Sequence, residues 1–253
     1  AAEATRFKKG DRVMSILTGG GYCDYCVVNE ELLMKIPDEM SFTDAACIPE
    51  AYLTSFQLLK LVGDMQEKDN VLIHAAASGV GVAACQLASL FKGNEIFATC
   101  SENKIDFVKS NNASQCFNYK DENWSKEIKE KNVRFNVVLD PVGGSHMMPS
   151  VKLCDYEARY VVYAGMAGGI CSDFNVHHFY IKRLQLLGST LRARSHEYKK
   201  NLVDRFVGEA LPFFQTGELK TRLFQKFKLE DVREAHELME SNTTMGKLVL
   251  ELD

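Results

Sequence analysis

The sequence predicts an α/β fold, a doubly wound parallel sheet, and two observations carry that reading. First, Val71-Leu72-Ile73-His74-Ala75 is an apolar run suited to a strand buried on both faces. It turns through Ala76, Ala77, Ser78 and Gly79 into an apolar helical stretch from Val80 through Leu87. Second, strand-like and helix-like segments alternate from Asn70 to Thr190, which is the rhythm of βαβ units joined by right-handed crossovers.

The elements follow in order. Residues 1–50 read as short strands and turns: Arg6 to Val13 is a turn feeding a strand, and Thr18-Gly19-Gly20-Gly21 is a loop. Tyr22 to Val28 alternates loosely, and Leu33 to Pro37 closes the region. The opening Ala-Ala-Glu-Ala-Thr lacks an initiator Met and runs straight into strand-like sequence, so a preceding N-terminal portion is expected. Ser41 is placed as an N-cap with Asp44 at the capping-box position. Ala51 to Leu61 reads as an apolar helix ending near Gly63. After the strand at Val71, further strands are expected at Ile96–Cys100, Gln115–Asn118, Phe135–Asp140, Arg159–Ala164 and Leu184–Thr190, with helices at Lys104–Ser110 and Trp124–Lys131. Beyond Thr190 the rhythm breaks: one long helix over Tyr198–Phe214, a strand over Leu223–Leu229, a helix over Glu230–Ser241 and a last strand over Lys247–Leu252.

Composition narrows the class. The 253 residues suffice for one large or two modest domains, and 46% hydrophobic with 25% charged residues is an ordinary globular balance. A net charge of −4 without a basic cluster argues against a nucleic-acid partner, and no apolar run approaches a membrane span. Eight cysteines in a chain with five prolines and no regular spacing suggest thiols in a reducing cytoplasm rather than a disulfide framework. Cys23-Asp24-Tyr25-Cys26 is the one C-x-x-C; with neither a second Cys pair nor paired histidines, it does not make a zinc site, and no metal is expected.

The turn from strand to helix is where chemistry is expected. Small residues there let a diphosphate approach backbone N–H groups at the positive end of a helix. Gly79-x-Gly81-x-x-Ala84 fits the generic dinucleotide spacing, which by itself also describes a turn with no ligand. The next strand ends Ala98-Thr99-Cys100-Ser101, without the carboxylate that holds the ribose hydroxyls of NAD; Glu102 comes only in the turn, and Lys104 follows. A serine and a lysine there favour the 2′-phosphate of NADP(H). Two more glycine-marked strand ends, Asp140-Pro141-Val142-Gly143-Gly144 and Ala164-Gly165-Met166-Ala167-Gly168-Gly169, suit a long cofactor lying across the sheet.

The stretches Gly10 to Val13, Gly19 to Tyr22, Ala46 to Gln57, His74 to Gly81, Phe117 to Lys120, Leu139 to Gly144, Leu191 to Arg194 and Gly246 to Leu250 together resemble the zinc-free medium-chain dehydrogenase/reductases of the quinone oxidoreductase (zeta-crystallin-like) family, its p53-inducible branch above all. The resemblance implies a Rossmann domain over 51–190 and a mostly β, GroES-like catalytic domain split between 1–50 and 191–253, with the N-terminal strands of the latter preceding residue 1. It implies that Thr54 lies near the nicotinamide and that Ser78, Gly79, Val80 and Gly81 cradle the diphosphate. Ser101 and Lys104 take the 2′-phosphate, and Tyr119 packs on the adenosine end. Val142, Gly143, Gly165, Met166 and Ala167 run beneath ribose and nicotinamide, and Leu191, Arg192 and Lys247 close the far side.

The activity so implied is NADPH-dependent, zinc-independent reduction of a quinone, with Tyr52, Phe179 and Arg192 as candidates to line the acceptor pocket. Reduction of an enone or enal C=C bond uses the same cofactor and cleft, and a cofactor-binding protein with a structural, regulatory or RNA-binding role is the reading from another class. All six histidines read as satisfied or surface residues. The resemblance also implies a homodimer, or a tetramer of such pairs, joined through the strand Leu184–Thr190.

Overall fold

The computed structural model describes residues 4–252. The opening Ala1-Ala2-Glu3, from which the sequence suggests a preceding portion, lies outside the described residues. Two compact units divide the chain, one formed by residues 1–54 with 191–253 and the other by 55–190.

In the first unit, β1 (Val13–Ser15) pairs antiparallel with β2 (Leu33–Lys35). Tyr22 to Val28 forms no strand; it is an irregular loop with Tyr25 and Val27 fully exposed. α1 (Phe42–Ala46) starts at Ser41, whose hydroxyl accepts from the Asp44 N–H as the capping pattern requires. α2 (Pro49–Phe56) begins two residues before the expected helix, with proline in the first turn where no N–H is needed. The chain then widens into a π-helical turn over Gln57–Val62 before Gly63.

The second unit holds the sheet. β3 (Val71–Ile73), β4 (Ile96–Cys100), β5 (Gln115–Asn118), β6 (Phe135–Asp140), β7 (Cys154–Val162) and β8 (Gln185–Gly188) form six strands in the order β5-β4-β3-β6-β7-β8, every pair parallel. This is the doubly wound order, in which the chain starts in the middle and reverses direction between β3 and β6. Between the strands lie α3 (Gly79–Leu90), α4 (Ile105–Lys109), α5 (Trp124–Glu130), α6 (Met147–Leu153) and α7 (Val176–Lys182). One apolar row crosses four strands in register: Phe97 beside Leu72, Leu72 beside Val138, Val138 beside Tyr160. That row packs against Trp124 and Ile128 of α5 and Met148 and Val151 of α6. The alternate strand residues Val71, Ile73, Ala98, Val137 and Leu139 are buried as well, so both faces of the sheet are covered.

Two helices escape the sequence reading. α6 contains Pro149, which is tolerated because it sits in the first turn, and α7 follows an Asn175 cap that accepts from the His177 N–H. β7 also starts five residues earlier than expected. In the first unit again, the single helix expected over 198–214 is two: α8 (His196–Glu209) and α9 (Phe213–Thr216). Pro212 cannot donate to the ladder and disfavours helical geometry in Leu211. β9 (Leu223–Lys228), α10 (Val232–Glu240) and β10 (Lys247–Glu251) complete the chain, the two strands pairing parallel.

Candidate functional site

The carboxyl ends of β3, β4, β5, β6 and β7 define a trough in the second unit, and the β3–α3 turn is its centre. After Ile73, Ala75 adopts a left-handed φ of 52°, which bends the chain sharply. Ala76 N–H donates to the Thr99 carbonyl and His74 N–H to the Leu139 carbonyl, so the turn is held by both neighbouring strands. Ser78 caps α3, its hydroxyl accepting from Gly81 N–H at 3.0 Å. The N–H groups of Gly79 and Val80 have no acceptor among the described residues and face outward from the helix end. Gly81 is obligatory: a Cβ there would lie 2.5 Å from the Ala75 carbonyl oxygen and from Ala76 Cα. Ser55, absent from the predicted set, donates to the Val80 carbonyl at 2.7 Å and braces the first turn from behind.

On one side of this turn, Ser101 ends β4 and Lys104 closes the short helical turn Glu102–Lys104. Lys104 is only 8% exposed. Burial holds its pKa below the usual lysine value, and the neighbouring Lys120 ammonium pushes in the same direction. Lys120 is a cation that the residue-by-residue reading left unassigned; the signal for it was its place directly after Tyr119 at the tip of β5. Tyr119 N–H donates to the Cys100 carbonyl, tying the β4 and β5 tips together, and its half-exposed ring stands 5.7 Å from the His146 ring. Below, the Cys100 and Cys116 sulfurs approach to 3.3 Å.

On the other side, Gly143 and Gly144 have φ of 63° and 51°, and the loop they form lies against the 164–168 loop. Met166 N–H donates to the Pro141 carbonyl and Ala167 N–H to the Val142 carbonyl. A cavity of about 390 Å³ opens beside these loops, lined by Gly143, Gly144, Gly165 and Gly168 with Met147, Cys171 and Leu187. Backbone, rather than side chains, forms its polar surface. Asp140, fully buried at the end of β6, accepts from Val142 N–H at 2.7 Å and Gly143 N–H at 2.9 Å.

Of the predicted site residues, Ser78, Gly79, Val80, Gly81, Ser101, Lys104, Tyr119, Val142, Gly143, Gly165, Met166 and Ala167 all stand along this row of strand ends. Tyr52, Thr54, Leu191, Arg192 and Lys247 belong to the other unit. There, Tyr52 packs edge-on against Phe214 and donates its hydroxyl to the Lys220 carbonyl. Thr54 has a buried hydroxyl without a partner among the described residues. Leu191 is buried, and Lys247 opens β10 beside the Cys47 thiol, whose pKa burial pushes up to about 11. Arg192 lines a cavity of about 460 Å³ in its own unit with Gly19, Glu50 and Lys199. Phe179 stacks on Phe174 at 4.9 Å and, partly buried, packs against the core beneath α7. Among the histidines, His74 is satisfied at both ring nitrogens, but His146 is not: both of its nitrogens are buried without a partner, with the ring stacked on Trp124. No group of three or more residues able to hold a metal occurs among the described residues, and none of their helices is long and apolar enough to cross a membrane.

A doubly wound sheet with a glycine-demanding strand-to-helix turn and glycine loops at its later strand ends defines a nicotinamide-nucleotide-binding oxidoreductase unit. The chain belongs to the zinc-binding dehydrogenase family, whose profile matches residues 79–208, and within it to the quinone oxidoreductase group. It is 28% identical over 253 residues to the quinone oxidoreductase-like protein 2 homolog of Nematostella vectensis, covering 98% of this chain and 69% of that protein. Among solved structures, it superimposes on a quinone oxidoreductase of Pseudomonas syringae pv. Tomato DC3000 with a TM-score of 0.83 at 27% identity, covering 98% of this chain and 77% of that one. It also matches an NAD-dependent alcohol dehydrogenase with a TM-score of 0.81 at 30% identity, covering 92% and 66%. The chain thus spans about two thirds to three quarters of the length of these relatives.

Proposed function

We propose that the protein uses NADPH to reduce quinones or similar conjugated carbonyl acceptors, without zinc. The observation that carries the cofactor choice is Lys104, buried at the tip of β4 beside Ser101 and within the field of Lys120. A 2′-phosphate there meets two cations, whereas the ribose hydroxyls of NAD would meet no carboxylate at the strand end. The trough fits the rest of the group. The N–H groups of Gly79 and Val80 receive the diphosphate, the Gly81 backbone permits its approach, and the glycine loops flank the nicotinamide ribose. When bound, NADPH supplies the reducing equivalents; the chain supplies orientation and exclusion of water.

Quinone oxidoreductases among the relatives support a quinone as the acceptor. Enones share the conjugated carbonyl, so the test is a panel: NADPH oxidation measured against quinones, enones and enals. Faster turnover of quinones is the expected result, and preference for enones would reassign the acceptor. No turnover with any of them despite NADPH binding would overturn the enzyme reading. Tyr52, Phe179 and Arg192 are the proposed acceptor-pocket residues, and Thr54, Leu191 and Lys247 are proposed as further cofactor contacts.

The same reading extends to assembly and location. β8 is the edge of the sheet and exposes Leu186, and the preceding α7 exposes Val176, Tyr180 and Ile181. An unprotected apolar edge is stabilised by pairing with its own copy across a two-fold axis, giving a homodimer. Eight unpaired thiols suit a reducing cytoplasm.

A further inference from the structure

Beneath the trough, a file of buried polar side chains runs from one strand end to the next. Thr99, near the end of β4, meets His74 Nδ1 at 2.8 Å, and His74 Nε2 meets the Ser150 hydroxyl at 2.8 Å. Ser150 donates to the His146 carbonyl, and His74 N–H donates to the carbonyl of Leu139, the residue before Asp140, at 3.0 Å. Tyr160 donates to Asp140 Oδ2 at 2.7 Å, and Asp140 Oδ1 receives the N–H groups of Val142 and Gly143. Each of the five side chains is at most 1% exposed. The donors and acceptors assign the ring: Ser150 gives its proton to the His146 carbonyl, so His74 Nε2 carries the hydrogen that Ser150 accepts, and Nδ1 accepts from Thr99. A buried polar chain is stabilising only when each member is satisfied, and this one is. An apolar core would serve stability equally well at these positions, so the chain calls for an additional role.

Its two ends supply that role. Thr99 lies two residues before Ser101 at the adenosine end, and Asp140 holds the Val142-Gly143 turn at the other. The glycine loop has no side chains of its own with which to hold its shape; its left-handed φ values at Gly143 and Gly144 are costly to order and easy to lose. We propose that Asp140, Tyr160 and His74 are positioning residues, which fix the Val142–Gly144 loop against the β3 and β4 strand ends so that the nicotinamide half of the cofactor is held in register with the adenosine half. This rests on the cofactor reading above. Asp140 is the post, Tyr160 orients its carboxylate, and His74, whose N–H is bonded to the Leu139 carbonyl, joins that post to the strand that leads into the β3–α3 turn.

The test separates the two halves of the ligand. Binding of NADPH and of 2′,5′-ADP, which has the adenosine and 2′-phosphate but no nicotinamide, is measured by calorimetry for the wild type, Tyr160→Phe, Asp140→Asn and Asp140→Ala. Melting temperatures establish that each is folded. Tyr160→Phe and Asp140→Ala are expected to weaken NADPH about tenfold while leaving 2′,5′-ADP within about twofold, the effect of losing one or two hydrogen bonds that order a loop. Asp140→Asn, which keeps an acceptor for the loop N–H groups, should restore most of the NADPH affinity. Equal losses for both ligands, or no loss for either in the folded Tyr160→Phe protein, would overturn the positioning role. Wild-type protein that binds neither ligand would overturn the cofactor reading, and this inference with it. Should Asp140→Ala fail to fold, Tyr160→Phe, which removes a single oxygen atom, decides the matter.

Discussion

The two ends of the trough are built on opposite plans. At the end proposed to take the adenosine, side chains supply the chemistry: Ser101, Lys104, Tyr119 and Lys120 crowd the tips of β4 and β5, with Lys104 only 8% exposed. At the end proposed to take the nicotinamide, six glycines line the cavity and the polar surface is backbone. Charge is a cheap way to discriminate a phosphate from a hydroxyl, because one ion pair changes affinity without reshaping anything. A flat ring that must present one face to an acceptor needs shape instead, and shape is set by backbone dihedrals and the buried groups that hold them. Substitutions at the first end should therefore change which cofactor binds, and substitutions at the second should change how well it is placed.

The diphosphate turn between the two ends tolerates least. Gly81→Ala puts a methyl group 2.5 Å from the Ala75 oxygen and Ala76 Cα, both backbone, so the turn itself has to move. We expect a loss of about 3 kcal/mol or more in unfolding free energy, together with loss of NADPH binding. Thermal unfolding and a fluorescence titration measure the two effects. A variant that keeps its affinity would show that the close approach is dispensable.

His74 lies under the same turn and links it to pH. Desolvation holds its pKa down, from 6.5 to about 4, with the His146 ring adding to this and the Asp140 charge opposing it. The folded state therefore refuses a proton that the unfolded chain accepts. Stability from this group is complete above pH 6.5 and is lost as pH falls toward 4, by up to about 3 kcal/mol in total. Urea unfolding at pH 7.5 and 5.0 should show a steeper loss in the wild type than in His74→Gln. Parallel losses would assign the acid sensitivity to carboxylates elsewhere.

The glycine-free end drew the more definite reading from sequence. An absent carboxylate and a present lysine are properties of residue type, and type survives any error in element boundaries. The parallel sheet was legible for the same kind of reason: Ile96–Cys100, Gln115–Asn118 and Phe135–Asp140 are short apolar runs bounded by polar residues, and each forms a strand over those residues. Other features depend on three-dimensional neighbours. Tyr52 and Phe179 are aromatics of the kind that line pockets, and the rings they pack against, Phe214 and Phe174, are set by the fold and not by a local pattern. Asp140 looked like one residue of a glycine loop. Its role needs Tyr160, twenty positions later and one strand over, which no local pattern connects to it. The break at Pro212 was readable in principle, since the apolar stripe of α8 outweighed the proline only on paper.

Lys104 tests the charge plan directly. Lys104→Ala removes a charge-assisted contact worth about 1.5 to 3 kcal/mol, so NADPH affinity should fall about 10- to 100-fold. NADH has no 2′-phosphate and should bind as before. Loss of both cofactors alike would mean that the buried lysine stem, 8% exposed, serves packing and not selection.

Ser78 separates the helix cap from the ligand within a single side chain. Its hydroxyl accepts from Gly81 N–H, so Ser78→Ala should cost about 1 kcal/mol of stability through the lost cap. Ser78→Asp keeps an acceptor at that position and favours the helix dipole, so stability should be retained. Its carboxylate, however, would stand where the diphosphate arrives, beside the free N–H groups of Gly79 and Val80, and repel it. The aspartate variant should therefore be as stable as the wild type and bind NADPH the more weakly of the two variants, while the alanine variant shows the reverse order of defects. Equal NADPH affinity in wild type and Ser78→Asp would move the diphosphate away from this turn and leave Ser78 as a cap alone.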